Sequence, residues 1–479
     1  MTTDRAATAD AEPNGYLTGP FSPVHREITA ENLVVEGEIP ADVAGSFVRN
    51  SPNPKFAPQG RYHWFDGDGM LHGVHIAGGK ATYRNRFVRT AGLMEETEAG
   101  HALHTGILER PDYRKPGGPF KNTGNTDLHF HAGKFLALWW LCGDAHQVRL
   151  PDLETLGAFN FGGALARGIS AHPKTDPRTG ELIFFDYAMQ PPFMYYGVAD
   201  ACGEIVHQTP IEMPGPRLQH DIAITEHYTL LFDMPMYWDP ELLRQGKTKV
   251  VFNRDLPGRI GVIPRRGNGD TIRWFEAAPF YMYHTINAYE EGDEIVLVGC
   301  RIDNPIPESR ENPLRRARLT FLELHPLLHR WRINLVTGTV KEESLDDVAS
   351  EFPRTNDRLL GAAQRYSYNP RIAREPQLLF DGLIKYDTTT GASWTCDYGP
   401  RRWGGEAVFV PRAGATEEDA GYCMNFVYNG DDDSSELWIL DAQDLPSGPL
   451  AKIGIPQRVP IGYHTCWVGQ DEIDTQIFA

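Results

Sequence analysis

Short runs of apolar, aromatic and β-branched residues alternate with tight polar turns along most of the chain. Five such units begin at residues 73, 128, 222, 286 and 330, and in each of them three or four turn residues separate two strand-like runs. Strand-forming runs joined by short polar turns are typical of antiparallel β-hairpins. The pattern therefore predicts a chain that is built mainly of hairpins.

Helical periodicity, by contrast, is scarce. Only Pro240–Gly246 and Pro326–His329 suggest short helical turns between strands. Many hairpins without alternating helices predict an all-β closed architecture rather than a parallel α/β sheet. A β-propeller fits the chain length and the hairpin density best, and a stacked pair of β-sandwiches is the alternative. No strict repeat length is visible, so the hairpins do not give the number of blades.

The organisation of the chain points to one large domain. Its 479 residues suggest two or three domains by length alone, but large all-β folds often form a single one. Glycine and proline are scattered, and no low-complexity linker divides the chain. The N-terminal residues are polar and small, without the apolar stretch of a signal peptide. We therefore expect a flexible tail at residues 1–20 and a single β-domain at residues 21–479.

Composition narrows the class of function. The chain has 46 basic and 64 acidic residues, which gives a net charge of −18. This balance argues against nucleic-acid binding and against docking on anionic lipid, because both need basic surfaces. The six cysteines form no Cys-x-x-Cys pair, which fits a reducing compartment. The longest apolar run, Phe135–Cys142, is too short to span a bilayer. We expect a soluble, cytoplasmic protein.

Four histidines stand where predicted strands meet turns: His172, His220, His284 and His464. They are too far apart in sequence for one helix or loop to bring them together. A propeller could do so, because it points its inner strand ends at one axis. Taken singly, each could be an ordinary buried or rim histidine. Their shared context favours a metal site with four neutral nitrogen ligands.

Other candidate residues are less distinctive. His129 and His131 form a His-x-His pair, but no glutamate follows as in a cupin-type site, so we interpret the pair as an exposed hairpin. Glu351 and Glu406 stand out because Glu406 opens an otherwise apolar run. A buried carboxylate needs a partner, and a histidine whose other nitrogen binds a metal can be that partner. A surface acid or a cap is the alternative interpretation for both glutamates.

Taken together, the sequence resembles the carotenoid cleavage oxygenases, a family that includes members cleaving apocarotenoids and stilbenes. The resemblance runs over nearly the whole chain from about Phe21. It is carried by Gly45–Asn50, Phe65–Met70, Asn125–Thr126, Ala171–Pro173, Asp176–Pro177, Thr179–Gly180, His220–Asp221, His284, Asn287–Gly292, Glu351–Pro353, Glu406–Arg412 and His464–Trp467. These segments occur in the same order as in the family.

The resemblance implies a seven-bladed β-propeller whose capping loops form a substrate tunnel. It also implies an axial non-haem Fe(II) held by the four histidines, with Glu351 and Glu406 hydrogen-bonded to two of them. A third glutamate of the family is replaced here by Trp140, and losing such a partner costs about 10–100-fold in metal affinity. Thr126 matches a residue that lies beside an open coordination position of the iron.

The implied activity is oxygenation of a conjugated C=C bond by O2 to give two carbonyl products, without an external reductant. The chain's 52 aromatic residues are enough to line an apolar tunnel. Stilbene- and phenylpropene-cleaving relatives bind the phenol group of their substrate with a lysine and a tyrosine. Here Trp139 stands at the lysine position, and Tyr113 aligns poorly with the tyrosine. We therefore expect a carotenoid or, preferably, a shorter apocarotenoid substrate.

Two alternatives stay open: cleavage of a stilbene or phenylpropene to aromatic aldehydes, and a non-catalytic or isomerising relative. Relatives that extract substrate from membranes carry an apolar patch at the tunnel mouth. Here the apolar segment Met234–Trp238 is followed by the largely polar segment Asp239–Lys249. We therefore expect at most weak, peripheral membrane contact.

Overall fold

Seven antiparallel sheets surround one axis and form the blades of a seven-bladed β-propeller. The computed structural model describes residues 14–112, 114, 118–239, 241–242, 245, 249–309 and 311–478. The sheets are numbered as blades 1 to 7 in chain order. Innermost strands of neighbouring blades contact each other, as blade 7 does with blades 1 and 6.

The first four blades have four strands each. From the axis outward, the strands are Asp127–His131, Lys134–Leu138, Ala145–Arg149 and Glu154–Phe159 in blade 1; Lys174–Thr175, Leu182–Tyr187, Met194–Ala199 and Ile205–Ile211 in blade 2; Ala223–Ile224, Tyr228–Asp233, Gly258–Pro264 and Arg273–Ala277 in blade 3; Tyr281–Glu291, Glu294–Ile302, Leu327–Asn334 and Val340–Ser344 in blade 4.

The last three blades are less regular. Their strands are Tyr366–Ile372, Phe380–Asp387 and Ser393–Asp397 in blade 5; Val408–Pro411, Gly421–Asn429, Ser434–Asp441, Pro449–Ile455 and Val35–Gly37 in blade 6, with Arg402–Trp403 also paired to Gly421–Asn429; and Thr465–Gly469, Gly45–Pro52, Gly69–Ala77, Lys80–Phe87 and Thr29–Ala30 in blade 7. In blade 5 two isolated bridges, Ser350 to Arg371 and Arg354 to Tyr368, take the place of an innermost strand.

Few other elements accompany the blades. Two further hairpins pair Met236–Trp238 with Val250–Phe252 and Arg318–Leu319 with Leu322–Glu323. The described helices are Ala91–Ala99 and Gln470–Ile473, with 3-10 turns at Gly15–Leu17, Gly19–Phe21, Trp64–Asp66, Phe161–Gly163, Gly269–Thr271, Asp357–Leu359 and Leu445–Ser447. None of these helices is long and apolar enough to cross a membrane. All six cysteines are unpaired.

Blade 7 closes the ring by joining the two ends of the chain. The C-terminal strand Thr465–Gly469 pairs with the N-terminal strand Gly45–Pro52, in register from Gly45 opposite Gly469 to Arg49 opposite Thr465. Blade 6 recruits Val35–Gly37 from the N-terminal region in the same way. The propeller therefore closes through main-chain hydrogen bonds between distant segments.

All five predicted hairpins are present as antiparallel strand pairs, and the sandwich alternative is wrong. The helical turn expected at Pro326–His329 is also wrong, because Leu327–Asn334 is a central strand of blade 4. The turn expected at Pro240–Gly246 lies mostly outside the described residues.

The predicted N-terminal tail differs from the structure where the structure describes it. Residues 1–13 lie outside the described part of the chain. Residues 14–20 were expected to be flexible, but they form two 3-10 turns against the propeller. Tyr16 is buried and donates a hydrogen bond to the main-chain oxygen of Arg318 at 2.7 Å. Its aromatic ring also packs on Trp64, so the boundary at residue 20 is too late.

Trp331 tests the packing of the hydrophobic core. Its indole is fully buried in blade 4 and contacts Phe280, with ring centroids 5.1 Å apart. Trp331→Ala is expected to lower the free energy of unfolding by about 3–5 kcal/mol, because a large cavity remains. Trp394→Ala is the matched control, since that ring is 41% exposed, and should cost about 1 kcal/mol or less. Denaturant unfolding measures both, and equal losses would contradict this account of the core.

Candidate metal centre

The four histidines come from four different blades and meet on the propeller axis. His172, His220 and His464 lie one to three residues before the innermost strands of blades 2, 3 and 7. His284 lies inside the innermost strand of blade 4, at a β-bulge, so its predicted place at a strand boundary is wrong. A bulge re-aims a side chain without ending the strand. All four imidazoles are buried, with exposed fractions of 3–6%.

The geometry of the four rings suits one metal ion. One donor atom from each histidine can be chosen so that all four lie within 4.8 Å of one another. Ligands on opposite sides of one ion are separated by about 4 Å, twice a typical metal–nitrogen bond. His284 Nε2 is buried and has no hydrogen-bond partner among the described residues. A buried nitrogen without a partner is costly unless it binds something, and a metal ion fits that need.

Two carboxylates contact the Nδ1 atoms of two of the imidazoles. Glu351 Oε2 lies 2.5 Å from His284 Nδ1, and Glu406 Oε1 lies 3.0 Å from His464 Nδ1. An imidazole that donates a hydrogen bond through Nδ1 keeps Nε2 free to bind a metal, and its ring orientation is fixed. Both glutamates are therefore buried against an imidazole, and the alternative of surface acids is wrong.

Burial and neighbouring charges set the protonation of these groups. Burial lowers the pKa of His172 and of His220 well below the usual value, with a further contribution from the other imidazoles. Burial also opposes the charged form of His284, but Glu351 raises its pKa above the usual value. For Glu406, His464 and Arg354 outweigh burial and lower the pKa to about 2. The His172 and His220 imidazoles are therefore neutral at pH 7, whereas Glu406 is ionised.

Trp140 and Thr126 lie beside the histidines. Both border the space that His220, His284 and His464 face. The Trp140 indole packs edge-on against Phe65 at 5.0 Å, and its Nε1 has no hydrogen-bond partner in the described part of the chain. Tryptophan can only donate, so it cannot replace a glutamate that accepts from an imidazole. No described carboxylate comes within 4.0 Å of the His220 ring nitrogens.

An apolar cavity of about 470 Å³ adjoins this space and shares several wall residues with it. The shared walls are Phe65, Trp140, His220 and Tyr283. Trp139 and Trp238 also line it, and Met234 and Met236 are buried. The apolar segment Met234–Trp238 is therefore turned largely inward. Tyr113 lies outside the described residues.

A second cavity of about 370 Å³ reaches the histidines along the axis. It is polar, and its wall includes three of the four histidines together with Asp127, Asp221 and Glu406. Asp221 forms an ion pair with Lys174 at 2.7 Å. The cluster therefore separates an apolar space from a polar one.

Two site features escaped the sequence analysis or differ from it. Asp127 and Asp221 are buried beside the histidines; Asp127 begins the innermost strand of blade 1, and Asp221 directly follows His220, two residues before the innermost strand of blade 3. The His-x-His pair is not an exposed hairpin. His131 is buried and contacts the Gly180 carbonyl oxygen at 2.9 Å, and His129 contacts Thr175 Oγ1 at 2.7 Å.

The fold and the site define a propeller with four buried histidines on its axis that could hold a metal ion, and comparisons with known proteins show its family. Residues 21–469 match the family described as RPE65, retinal pigment epithelial membrane protein. The chain is 35% identical to a carotenoid 9,10(9',10')-cleavage dioxygenase of Crocus sativus, over 97% of the chain and 91% of that protein. It is also 35% identical to a carotenoid cleavage oxygenase of Mycobacterium tuberculosis, over 98% and 99%.

Solved structures of related enzymes superpose closely on this chain. A lignostilbene dioxygenase of Pseudomonas brassicacearum superposes with a TM-score of 0.87 at 29% identity, over 96% of this chain and all of that one. A Synechocystis apocarotenoid oxygenase variant superposes with a TM-score of 0.84 at 27% identity, over 94% and 98%. The chain belongs to the RPE65/carotenoid cleavage oxygenase family. It is an enzyme of the carotenoid oxygenase type, with a site that fits a metal ion.

Proposed function

We propose that the protein is an Fe(II)-dependent dioxygenase that cleaves one C=C bond of an apocarotenoid with O2 and forms two carbonyl products. One observation carries the proposal: four buried imidazoles converge where an apolar cavity meets the propeller axis. The ligands would be His172, His220, His284 and His464, with Glu351 and Glu406 orienting two of them.

The donor set supports ferrous iron and oxygen chemistry. Imidazole suits Fe(II), and four neutral ligands leave up to two positions of an octahedron open. When bound, the ion would supply O2 activation beside the substrate alkene. Both oxygen atoms of O2 enter the products, one in each carbonyl group, so no external reductant is needed. Thr126 borders the same space and is proposed to limit access to one open position.

The chain's own residues would bind and orient the polyene. The apolar cavity is within the size range of sites that hold small organic ligands, and its walls are largely apolar and aromatic. Phe65, Trp139, Trp140 and Tyr283 offer flat faces to a conjugated chain. A cavity of this size favours a shortened polyene over an intact carotenoid.

A phenolic stilbene or phenylpropene is the second candidate substrate. The similarity to the lignostilbene dioxygenase, and 32% identity to an isoeugenol monooxygenase of Pseudomonas nitroreducens, support it. Against it, Trp139 lines the cavity at the position where phenol-gripping relatives have a lysine. An indole has no cationic group with which to bind a phenolate.

Substrate choice is tested with iron-loaded protein under air and a panel of apocarotenals, intact carotenoids and phenolic stilbenes. We expect aldehyde products from apocarotenals, with both oxygens of ¹⁸O2 recovered in the two products after correction for exchange with water. Product masses identify the cleaved bond. Turnover of a hydroxystilbene with no turnover of any polyene aldehyde would reverse the substrate assignment. A protein that takes up no iron and stays inert after Fe(II) is added would instead favour a binding role.

A further inference from the structure

Each blade places a histidine or a carboxylate near the start of its innermost strand. In blade order these residues are Asp127, His172, His220, His284, Glu351, Glu406 and His464. All seven are buried. Two of the three carboxylates contact a histidine of a neighbouring blade: Glu351 of blade 5 holds His284 of blade 4, and Glu406 of blade 6 holds His464 of blade 7.

Asp127 of blade 1 occupies the third carboxylate position of this ring and faces His172 of blade 2. Its Oδ2 accepts a hydrogen bond from the main-chain N–H of His172 at 3.0 Å and lies 3.5 Å from the ring Nδ1. The longer distance is an electrostatic contact rather than a hydrogen bond. The other oxygen, Oδ1, accepts from the main-chain N–H of Leu128 at 2.8 Å.

His172 needs such support, because its backbone is strained. Its φ is +64°, in the left-handed region that side chains other than glycine seldom adopt. Such a conformation persists only where surrounding contacts fix it. The Asp127 carboxyl oxygen that accepts from the main-chain N–H of His172 fixes the backbone and therefore the direction of the ring.

The same arrangement recurs between blades 3 and 4. Asp221 Oδ1 accepts from the N–H of Ile222, and its Oδ2 accepts from Thr285, the residue after His284, at 2.8 Å. Lys174 neutralises Asp221 at 2.7 Å. For Asp127, by contrast, no described lysine or arginine lies within ion-pair distance. The imidazole that its carboxyl group approaches is that of His172, and because this ring is neutral the contact is polar rather than an ion pair.

We propose that Asp127 is the third positioning carboxylate of the metal centre and acts on His172, in a chain where Trp140 stands at the position of the family's third glutamate. The proposal rests on the metal site proposed above. Asp127 sets the backbone and the ring of His172 and does not contact the metal or the substrate itself.

Fe(II) binding to metal-free full-length protein, measured anaerobically against a competing chelator, tests this role. Asp127→Ala is expected to weaken Fe(II) binding by about 10–100-fold. Asp127→Asn keeps an amide oxygen for the His172 N–H and should weaken binding by less than about 10-fold. We also expect both variants to alter the visible spectrum of the Co(II)-substituted protein, because the His172 ligand shifts. The matched control is Asp357→Asn, on the same axial cavity but 64% exposed and paired with Arg354; it should bind Fe(II) like the wild type.

The outcomes separate this proposal from the one on which it rests. A wild-type protein that binds no Fe(II) overturns the proposed metal site. A wild type that binds Fe(II), together with Asp127→Ala of unchanged affinity and unchanged Co(II) spectrum, overturns the role of Asp127 alone. If the alanine variant does not fold, Asp127→Asn decides, and unchanged affinity and spectrum in that variant overturn the role. Thermal unfolding of the metal-free variants establishes which of them fold.

Discussion

His284→Ala is expected to abolish stoichiometric iron binding and alkene cleavage. The substitution removes the donor nitrogen that is buried without a partner, Nε2. Removing a hydrogen-bond partner of a ligand lowers metal affinity by roughly 10–100-fold. His284→Ala should lower iron affinity by more than this, because it removes a ligand itself. It also leaves Glu351 buried without its imidazole, which destabilises a folded protein by about 3–5 kcal/mol. Metal analysis of the purified variant and mass analysis of aldehydes measure the two effects.

The control for this variant is the same substitution at a surface histidine outside the site. His227 has a side chain that is 67% exposed and pairs with Glu290 at 2.9 Å on the surface. His227→Ala should keep its iron and its turnover. Iron bound one-to-one by the His284→Ala protein, with turnover near that of the wild type, would remove His284 from the proposed ligands.

The hairpins of the fold were predictable because strand pairing between neighbours in sequence leaves a local pattern. The strands Asp127–His131 and Lys134–Leu138, for example, are separated by a two-residue turn, so the strands that pair are neighbours in the chain. The closure of blade 7 is different, because Thr465–Gly469 pairs with Gly45–Pro52 across almost the whole chain. No local pattern encodes that pairing. For the same reason the number of blades came from the family resemblance and not from counting hairpins.

Within the site, the sequence predicted residues whose chemistry is unusual and missed those whose chemistry is ordinary. Four histidines in similar contexts are distinctive, and the structure brings them together. An aspartate at a strand start is common, so Asp127 did not stand out. Its contact with His172 depends on how two blades pack side by side and on a positive φ at His172. Neither feature can be inferred from residue type alone.

Burial was also hard to infer for polar side chains. His131 appeared exposed because it sits in a polar hairpin, yet blade 2 covers it and the Gly180 carbonyl oxygen satisfies it. Tyr16 likewise stands in a polar N-terminal segment, but it is buried and donates a hydrogen bond to the main-chain oxygen of Arg318. In both residues a tertiary hydrogen bond compensates the cost of burying a polar group.

Glu406→Gln is expected to weaken the metal centre and the fold together. The carboxylate accepts from His464 Nδ1 at 3.0 Å through one oxygen and from Thr465 Oγ1 at 2.8 Å through the other. Glutamine has one carbonyl oxygen, so either the imidazole or the threonine must face an NH2 group instead. Arg354, 3.7 Å away, also loses its buried counter-charge. We expect about 10–100-fold weaker iron binding, and about 3–5 kcal/mol less free energy of unfolding.

Glu308→Gln is the control for Glu406→Gln, because it removes one negative charge from a glutamate that is not in the site. Glu308 is 89% exposed and faces Arg254 at 3.5 Å, a surface pair that contributes about 0–1 kcal/mol. Iron titration and denaturant unfolding of both variants decide between the two explanations. If Glu406 acts through His464, only the Glu406 variant loses iron affinity. Equal iron affinity in both variants would show that the imidazole keeps its orientation without the carboxylate, held by its packing on Phe352 and the other histidines.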